Sequence, residues 1–410
     1  MSEKSTPSTR FDGFTNAWEQ RKLGELGSVT KGAALSKADI SETGMPLILY
    51  GELYTTYSEV TYNVIRKTEA VVDDKYLSIL GDILIPTSGE TPEEISRATC
   101  VMVPNVILAG DLLIFRPTKE VDGRILSFIL NHKLNNKIAS IAQGKSIVHI
   151  QASELCQLRV TFPTLPEQKK IASLLSSIDS TLNLCQRKLG LLTQAKKALM
   201  QQIFSQKLRF KADDGSEFPA WEEETVGDLF VFVSSKNTGN TIDNVITNSA
   251  EFGLIPQRDF FDKDIAVEGR TENYTIIHKG DFVYNPRKST TAPYGPFNMY
   301  SREEVGIVSP LYTCLTPINS DSSDYLAWYF QTDRWFSYIV KNGAQGGARH
   351  DRVGMTNELM KKIPVQVPSL PEQKKIASCL SSADALIAQA RAELKQWREV
   401  KKSLLQQMFV

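Results

Sequence analysis

A chain of 410 residues with 41% apolar side chains is long enough for two or three domains and apolar enough to fill their cores. Its 47 basic and 47 acidic residues cancel, so no overall charge draws the protein to nucleic acid or to a membrane surface. Five cysteines without a CxxC pair and four scattered histidines (His132, His149, His278, His350) exclude a disulfide framework and a zinc site, and they predict a reducing cytoplasm.

The opening MSEKSTPSTR lacks the apolar core of a signal peptide, and no run approaches the ~20 apolar residues of a membrane span, so no membrane partner is expected. Residues 1–160 then read as a first globular domain with a net charge of −2. It starts at WEQRKLGEL from Trp18. Half-buried alternation in LGDILIPTSG from Leu80 predicts a short strand, and LSFILNHKLNNKIASIA from Leu126 predicts a helix. Gly144–Ser146 reads GKS, as in a phosphate loop. The first glycine of that motif would fall at Ala139, and a helical pattern precedes it instead of a strand, so no nucleotide site is expected.

Residues 161–210 form a spacer helix. LPEQKKIAS at Leu165–Ser173 recurs unchanged at Leu370–Ser378, and 20 of 40 aligned positions are identical between Leu165–Phe204 and Leu370–Phe409, which is duplication. Proline at a first helical position and a following glutamate mark both copies as helix starts. Apolar residues fall at alternating steps of four and three. The first seam is Ile171, Leu175, Ile178, Leu182, Leu189, Leu192 and Leu199; the second is Ile376, Leu380, Ile387, Leu394, Trp397 and Leu404. This period favours two helices pairing as an antiparallel coiled coil. Lys196 and Lys401 interrupt the seams at the same place and are expected to snorkel at the rim. Forty helical residues span about 60 Å, so each helix is a spacer.

Residues 211–366 read as a second globular domain and 367–410 as the second spacer helix. Three stretches of the second domain answer the first. WEEETVGDLF from Trp221 matches the Trp18 start, KGDFVYNPRK from Lys279 matches LGDILIPTSG, and NELMKKIPVQVP from Asn357 matches SELCQLRVTFP from Ser153. DYLAWYFQTDRWFSYIV from Asp324 is helical. The net charge is +5 over 161–216, −6 over 217–369 and +3 over 370–410, so the repeated helices are the basic segments. The expected fold class is α+β: two α/β domains separated by two long antiparallel helices, with a pseudo-two-fold internal repeat.

No catalytic or metal-binding residues are expected. NPRK at Asn285 has the start of an amino-methyltransferase motif but lacks its second proline and its aromatic; no PD dipeptide of the usual nuclease pattern occurs. Binding residues are easier to place. The acid-free stretch Phe282–Arg302 offers Tyr284, Arg287, Lys288 and Tyr294, and NGAQGGARHDRV from Asn342 offers Gln345, Arg349, His350 and Arg352. Guanidinium groups suit guanine edges, and lysines and loop amides suit phosphates. The equivalent stretches of the first half offer Thr87, Ser88 and Arg97, then Lys145, Ser146 and His149. Both globular parts are net acidic, so tight DNA binding needs help from partners.

The paired LPEQKKIAS helices, the Trp18 and Trp221 starts and the GDILIPTSG and GDFVYNPRK strands resemble the specificity subunit of bacterial type I restriction-modification enzymes, over nearly the whole chain. The resemblance implies two target-recognition domains, 1–160 and 211–366, each reading half of a bipartite double-stranded DNA site, with the helices as a ruler. It also implies docking of methyltransferase subunits, two of them, which bring S-adenosylmethionine and flip an adenine. Restriction subunits using ATP and Mg would complete the complex. Two other classes remain open: a pseudo-symmetric scaffold or orphan inhibitor that binds no DNA, and a divergent DNA methyltransferase.

Overall fold

A computed structural model describes residues 6–144, 147–260, 271–343 and 351–410. Helices and strands are mixed throughout, and the two repeats carry matching elements, as the α+β reading expects. The chain divides into two compact units, Met1–Arg187 with Arg391–Val410, and Lys188–Ala390. These cuts fall inside the two long helices, Leu165–Phe204 and Leu370–Gln407, so each unit comprises a globular part, the first half of one helix and the last half of the other.

In the first unit a five-stranded sheet has the order Gly27–Lys31, Leu112–Pro117, Asp82–Pro86, Thr99–Val101, Val60–Thr61. Its neighbours are antiparallel except for the last pair, which is parallel. The strand Asp82–Pro86 was expected to be half buried, and all five of its residues are buried. Its alternating side chains feed two cores: Ile83 and Ile85 pack with Phe115, Phe128 and Trp18, while Leu84 packs with Ile48, Leu108 and Ile114. The second unit repeats this device. Phe282 and Tyr284 enter one core and Val283 another, so Phe282–Tyr284 is also buried on both faces. Alternation reports which face a residue takes, and here both faces are dry.

The two segments expected as helices are helical, each in two pieces. Gly123–His132 is followed by Asn135–Ser140, and Ser323–Tyr329 by Phe336–Asn342. In each unit a short antiparallel pair joins the start of the globular part to its end: Glu19–Lys22 with Arg159–Phe162, and Glu222–Thr225 with Pro364–Val367. That pairing explains the sequence echoes at both ends of each repeat.

The long helices run antiparallel within each unit. In the first, Ile171, Ala172 and Leu175 share a core with Leu405, Met408 and Phe409. In the second, Ile203 and Phe204 share one with Ile376, Ala377 and Leu380. Of the seam residues, Ile171, Leu175, Ile178, Ile376, Leu380, Ile387 and Leu394 are buried, and Leu182, Leu189, Leu192, Leu199, Trp397 and Leu404 are partly buried. Among the described residues no helix is long and apolar enough to cross a membrane.

Candidate nucleic-acid interface

The repeated LPEQKK stretch is a joint. Pro166 and Pro371 sit in the first turn of the long helices, where the missing N–H costs nothing. The next residue, an acid in the first helical turn as expected, also anchors an arginine from the segment that leads into its globular part. Arg10 meets Glu167 through two charged hydrogen bonds of 2.8 and 2.6 Å, and Arg209 meets Glu372 at 3.2 and 2.6 Å. Both glutamates are buried, and each holds its arginine's pKa above the usual value. Gln168 and Gln373 donate to the carbonyls of Pro163 and Pro368, both at 2.8 Å. Lys170 lies over Phe14, and Lys375 over Phe218. The duplicated residues thus fix each helix to its globular part.

Lys196 and Lys401 do not lie at a rim. Lys401 Nζ bridges Asp179 at 2.7 Å and Glu59 at 3.0 Å, above the Phe128 ring. Glu59 also meets His132 Nε2 at 2.6 Å. Burial alone would raise the Glu59 pKa, but the His132 hydrogen bond and the Lys401 charge hold it down at about 2. Burial outweighs Lys401 at Asp179, whose pKa is raised. The duplicated partner of this pair, Lys196 with Asp384, is simpler. Lys196 lies over Trp328, and Asp384 is half exposed and the only carboxylate that meets it among the described residues. Long alkyl stems that could have snorkelled are held by carboxylates placed across the helix pair.

Outside the joints, the stretches expected to bind DNA come together as paired edges. In the first unit the buried strand Asp82–Pro86 runs through Thr87 into Ser88–Gly89, which pairs antiparallel with Val148–His149. The Thr87 N–H donates to the Asp111 carbonyl at 2.8 Å, and Ile150 N–H donates to the Thr87 carbonyl at 3.2 Å. Ser88 is buried; its Oγ donates to Asp111 Oδ2 at 3.1 Å and lies 3.1 Å from Nδ1 of exposed His149. Arg97 is exposed and lies off this edge, lining a cleft with Glu59 and Asn131. Lys145 and Ser146 lie outside the described residues.

The second unit repeats the edge. Arg287 forms an antiparallel bridge with Arg352. Lys288 N–H donates to the Asp351 carbonyl at 2.8 Å, and Val353 N–H donates to the Pro286 carbonyl at 2.9 Å. The Arg287 side chain is 70% exposed and only loosely approaches Asp351, at 3.7 Å, so its guanidinium is available to a ligand. Gln345, Arg349 and His350 lie outside the described residues. Tyr284 is misplaced by the sequence reading. It is 1% exposed, packs against Phe297 and Trp335, and donates its hydroxyl to the Tyr294 carbonyl at 2.7 Å. Burial raises its pKa, and it reaches no ligand while the core is closed. Tyr294 is partly buried against Phe336, 4.9 Å between ring centroids.

Sequence reasoning missed the residues that hold these edges. Asp111 lies in the turn between the strands Ile107–Ala109 and Leu112–Pro117 and fixes Ser88. Buried Asn248 donates to the carbonyls of Val283 and Pro296 at 2.7 and 3.2 Å, while its own carbonyl accepts from Asn285. A solitary Asp or Asn with partners 23 to 48 residues away leaves no local signal. Among the described residues no group of His, Cys, Asp and Glu could hold a metal ion.

Comparison with known proteins matches this architecture. The family model described as the type I restriction modification DNA specificity domain matches twice, at residues 16–194 and 220–396. A candidate type I restriction enzyme MjaX specificity subunit of Methanocaldococcus jannaschii is 24% identical, over 98% of this chain and 95% of its own length. The crystal structure of a type I restriction-modification S subunit from M. genitalium has a similar fold. Its TM-score is 0.61 at 17% identity, covering 99% of both chains. A chain from a structure of type I restriction-modification complex assembly gives 0.52 at 14% identity, over 96% of this chain and 97% of that one. With two copies of its domain spanning most of the sequence, the chain belongs to the type I restriction-modification DNA specificity family and is a non-catalytic DNA-recognition subunit.

Proposed function

We propose that the chain reads a bipartite double-stranded DNA site, one half with each globular part, while the long helices set the unread gap. The observation that carries this is the repeated edge: Ser88 with His149 in one unit and Arg287 with Arg352 in the other occupy corresponding places. Unlike side chains on like frames call for unlike half-sites. In the first half-site the contacts are assigned to Thr87, His149 and Arg97, with Ser88 behind His149, and to Lys145 and Ser146, which lie outside the described residues. In the second they are assigned to Arg287, Lys288, Tyr294 and Arg352, and to Gln345, Arg349 and His350, which lie outside the described residues. Arginine is suited to the two acceptors of a guanine edge and lysine to phosphate.

Both globular parts are net acidic, so most of the affinity for phosphate must come from elsewhere in a complex. The basic long helices are the docking surface. In the second unit Leu191 and Leu386 are 57% and 52% exposed, apolar side chains on the two long helices suited to partner helices. The partners are two methyltransferase subunits carrying S-adenosylmethionine, and restriction subunits using ATP and Mg. The working compartment is the cytoplasm.

The experiment is Arg287→Ala, assayed for methylation in complex with the methyltransferase subunit on duplexes varied one base at a time. Losing a bidentate base contact should relax one position of one half-site by tenfold or more and leave the other half unchanged. Equal losses in both halves contradict a two-reader arrangement.

A further inference from the structure

We infer that Ser88 and Asp111 are positioning residues that lock His149 with its proton on Nδ1, so that Nε2 meets DNA as an acceptor and selects adenine or cytosine in the first half-site. The inference rests on the DNA-reading role proposed above and goes beyond it by naming the chemistry of one contact.

The Ser88 hydroxyl has one hydrogen, and at 3.1 Å it is given to Asp111 Oδ2, since a carboxylate oxygen only accepts. The Ser88 oxygen then has only lone pairs to offer the His149 Nδ1 that lies 3.1 Å away. Two acceptors cannot bond, so Nδ1 must carry a hydrogen and donate it. In the neutral ring Nε2 is then unprotonated.

The backbone fixes where that nitrogen can go. His149 is held on one side by its ladder to Ser88, and on the other by paired hydrogen bonds with Gln143, both 2.9 Å. Turning the ring over would set a carbon against the buried Ser88 oxygen and leave that oxygen without a donor. The side chain is exposed, and among the described residues nothing engages Nε2.

An acceptor at this place discriminates in the major groove. Adenine N6 and cytosine N4 present amino hydrogens, whereas guanine and thymine present acceptor oxygens at the corresponding position. The second unit puts Arg287 and Arg352 at the matching edge, groups that only donate and suit the opposite bases. The two halves of the site would therefore differ in chemistry at corresponding positions.

The test has a part that needs no DNA. Ring-nitrogen NMR of the full chain, with His149→Gln to assign the signal, is expected to show the Nδ1–H tautomer. Ser88→Ala should shift it to Nε2–H, and Ser88→Thr, which keeps the hydroxyl, should restore it. An Nε2–H tautomer in the unmodified chain, or no change in Ser88→Ala, overturns the inference.

The second part is methylation by the chain with its methyltransferase subunit, on duplexes substituted singly in the first half-site. One position should require adenine or cytosine. Its preference should fall roughly tenfold in Ser88→Ala, the worth of about one hydrogen bond, and return in Ser88→Thr. A requirement for guanine or thymine where His149 substitutions act, or unchanged preference in Ser88→Ala, overturns the base assignment. A complex with the expected tautomers that recognises no split site overturns the DNA-reading role and the base selection with it, leaving the tautomer intact.

Discussion

Lys401→Met should destabilise the first unit by about 3–5 kcal/mol at neutral pH, measured by denaturant unfolding, because it removes the cation shared by two largely buried carboxylates and strands Asp179. Glu59 and Asp179 have side-chain exposures of 13% and 17%, and Asp179 Oδ2 already has no hydrogen-bond partner among the described residues. His132 remains for Glu59, but nothing replaces Lys401 at Asp179 among the described residues. The equivalent substitution in the other repeat, Lys196→Met, should cost only about 1 kcal/mol or less, since water can reach half-exposed Asp384. Equal costs would mean that burial of the partners is not what matters.

The effect of pH distinguishes the two states of this network. In the native chain Glu59, held at about 2, contributes stability above its unfolded value, and that stability is lost as pH falls through its folded one. In Lys401→Met, Asp179, already raised by burial, loses the cation that holds it down, so the variant's deficit should shrink on acidification as it takes up a proton. A deficit that grows towards acid pH would show that Lys401 acts by packing over Phe128 and not by charge.

The second large effect is expected at the joint of the second unit. Arg209→Met leaves Glu372, fully buried, with only the Trp221 indole N–H at 3.1 Å among the described residues. A cost of about 3–5 kcal/mol follows from an uncompensated buried charge. Replacing both partners, Arg209→Met with Glu372→Gln, should recover most of the loss, because a neutral amide can be served by the indole and by less solvation. No recovery in the double variant would locate the cost in the arginine's bonds to the Phe218 and Pro219 carbonyls instead.

What the sequence showed is governed by what leaves a local signal. Duplication, helix starts and the heptad seams are local patterns, and the helices lie within a residue or two of where Pro166 and Pro371 predict them. The strand at Asp82 was found by its alternation, but its depth was misjudged, because alternation cannot distinguish a wet face from a second core. The same limit explains Tyr284. An aromatic beside Arg287 in a loop-rich stretch reads as a base-stacking group, yet it is the last core position of a buried strand. Lys401 was read as a rim residue because its two carboxylates come from positions 222 and 342 residues away. Asp111, Asn248 and Asp351 act through long-range bonds, and nothing in their surroundings marks them.

The most direct test of the account is to sequence DNA methylation in a methylation-deficient host that carries this chain with its cognate methyltransferase subunit. The account predicts a split motif, two unlike half-sites on either side of a fixed unread gap, with a methylated adenine in each half on opposite strands. A contiguous motif, or no new methylation when both proteins are soluble and associated, would contradict it.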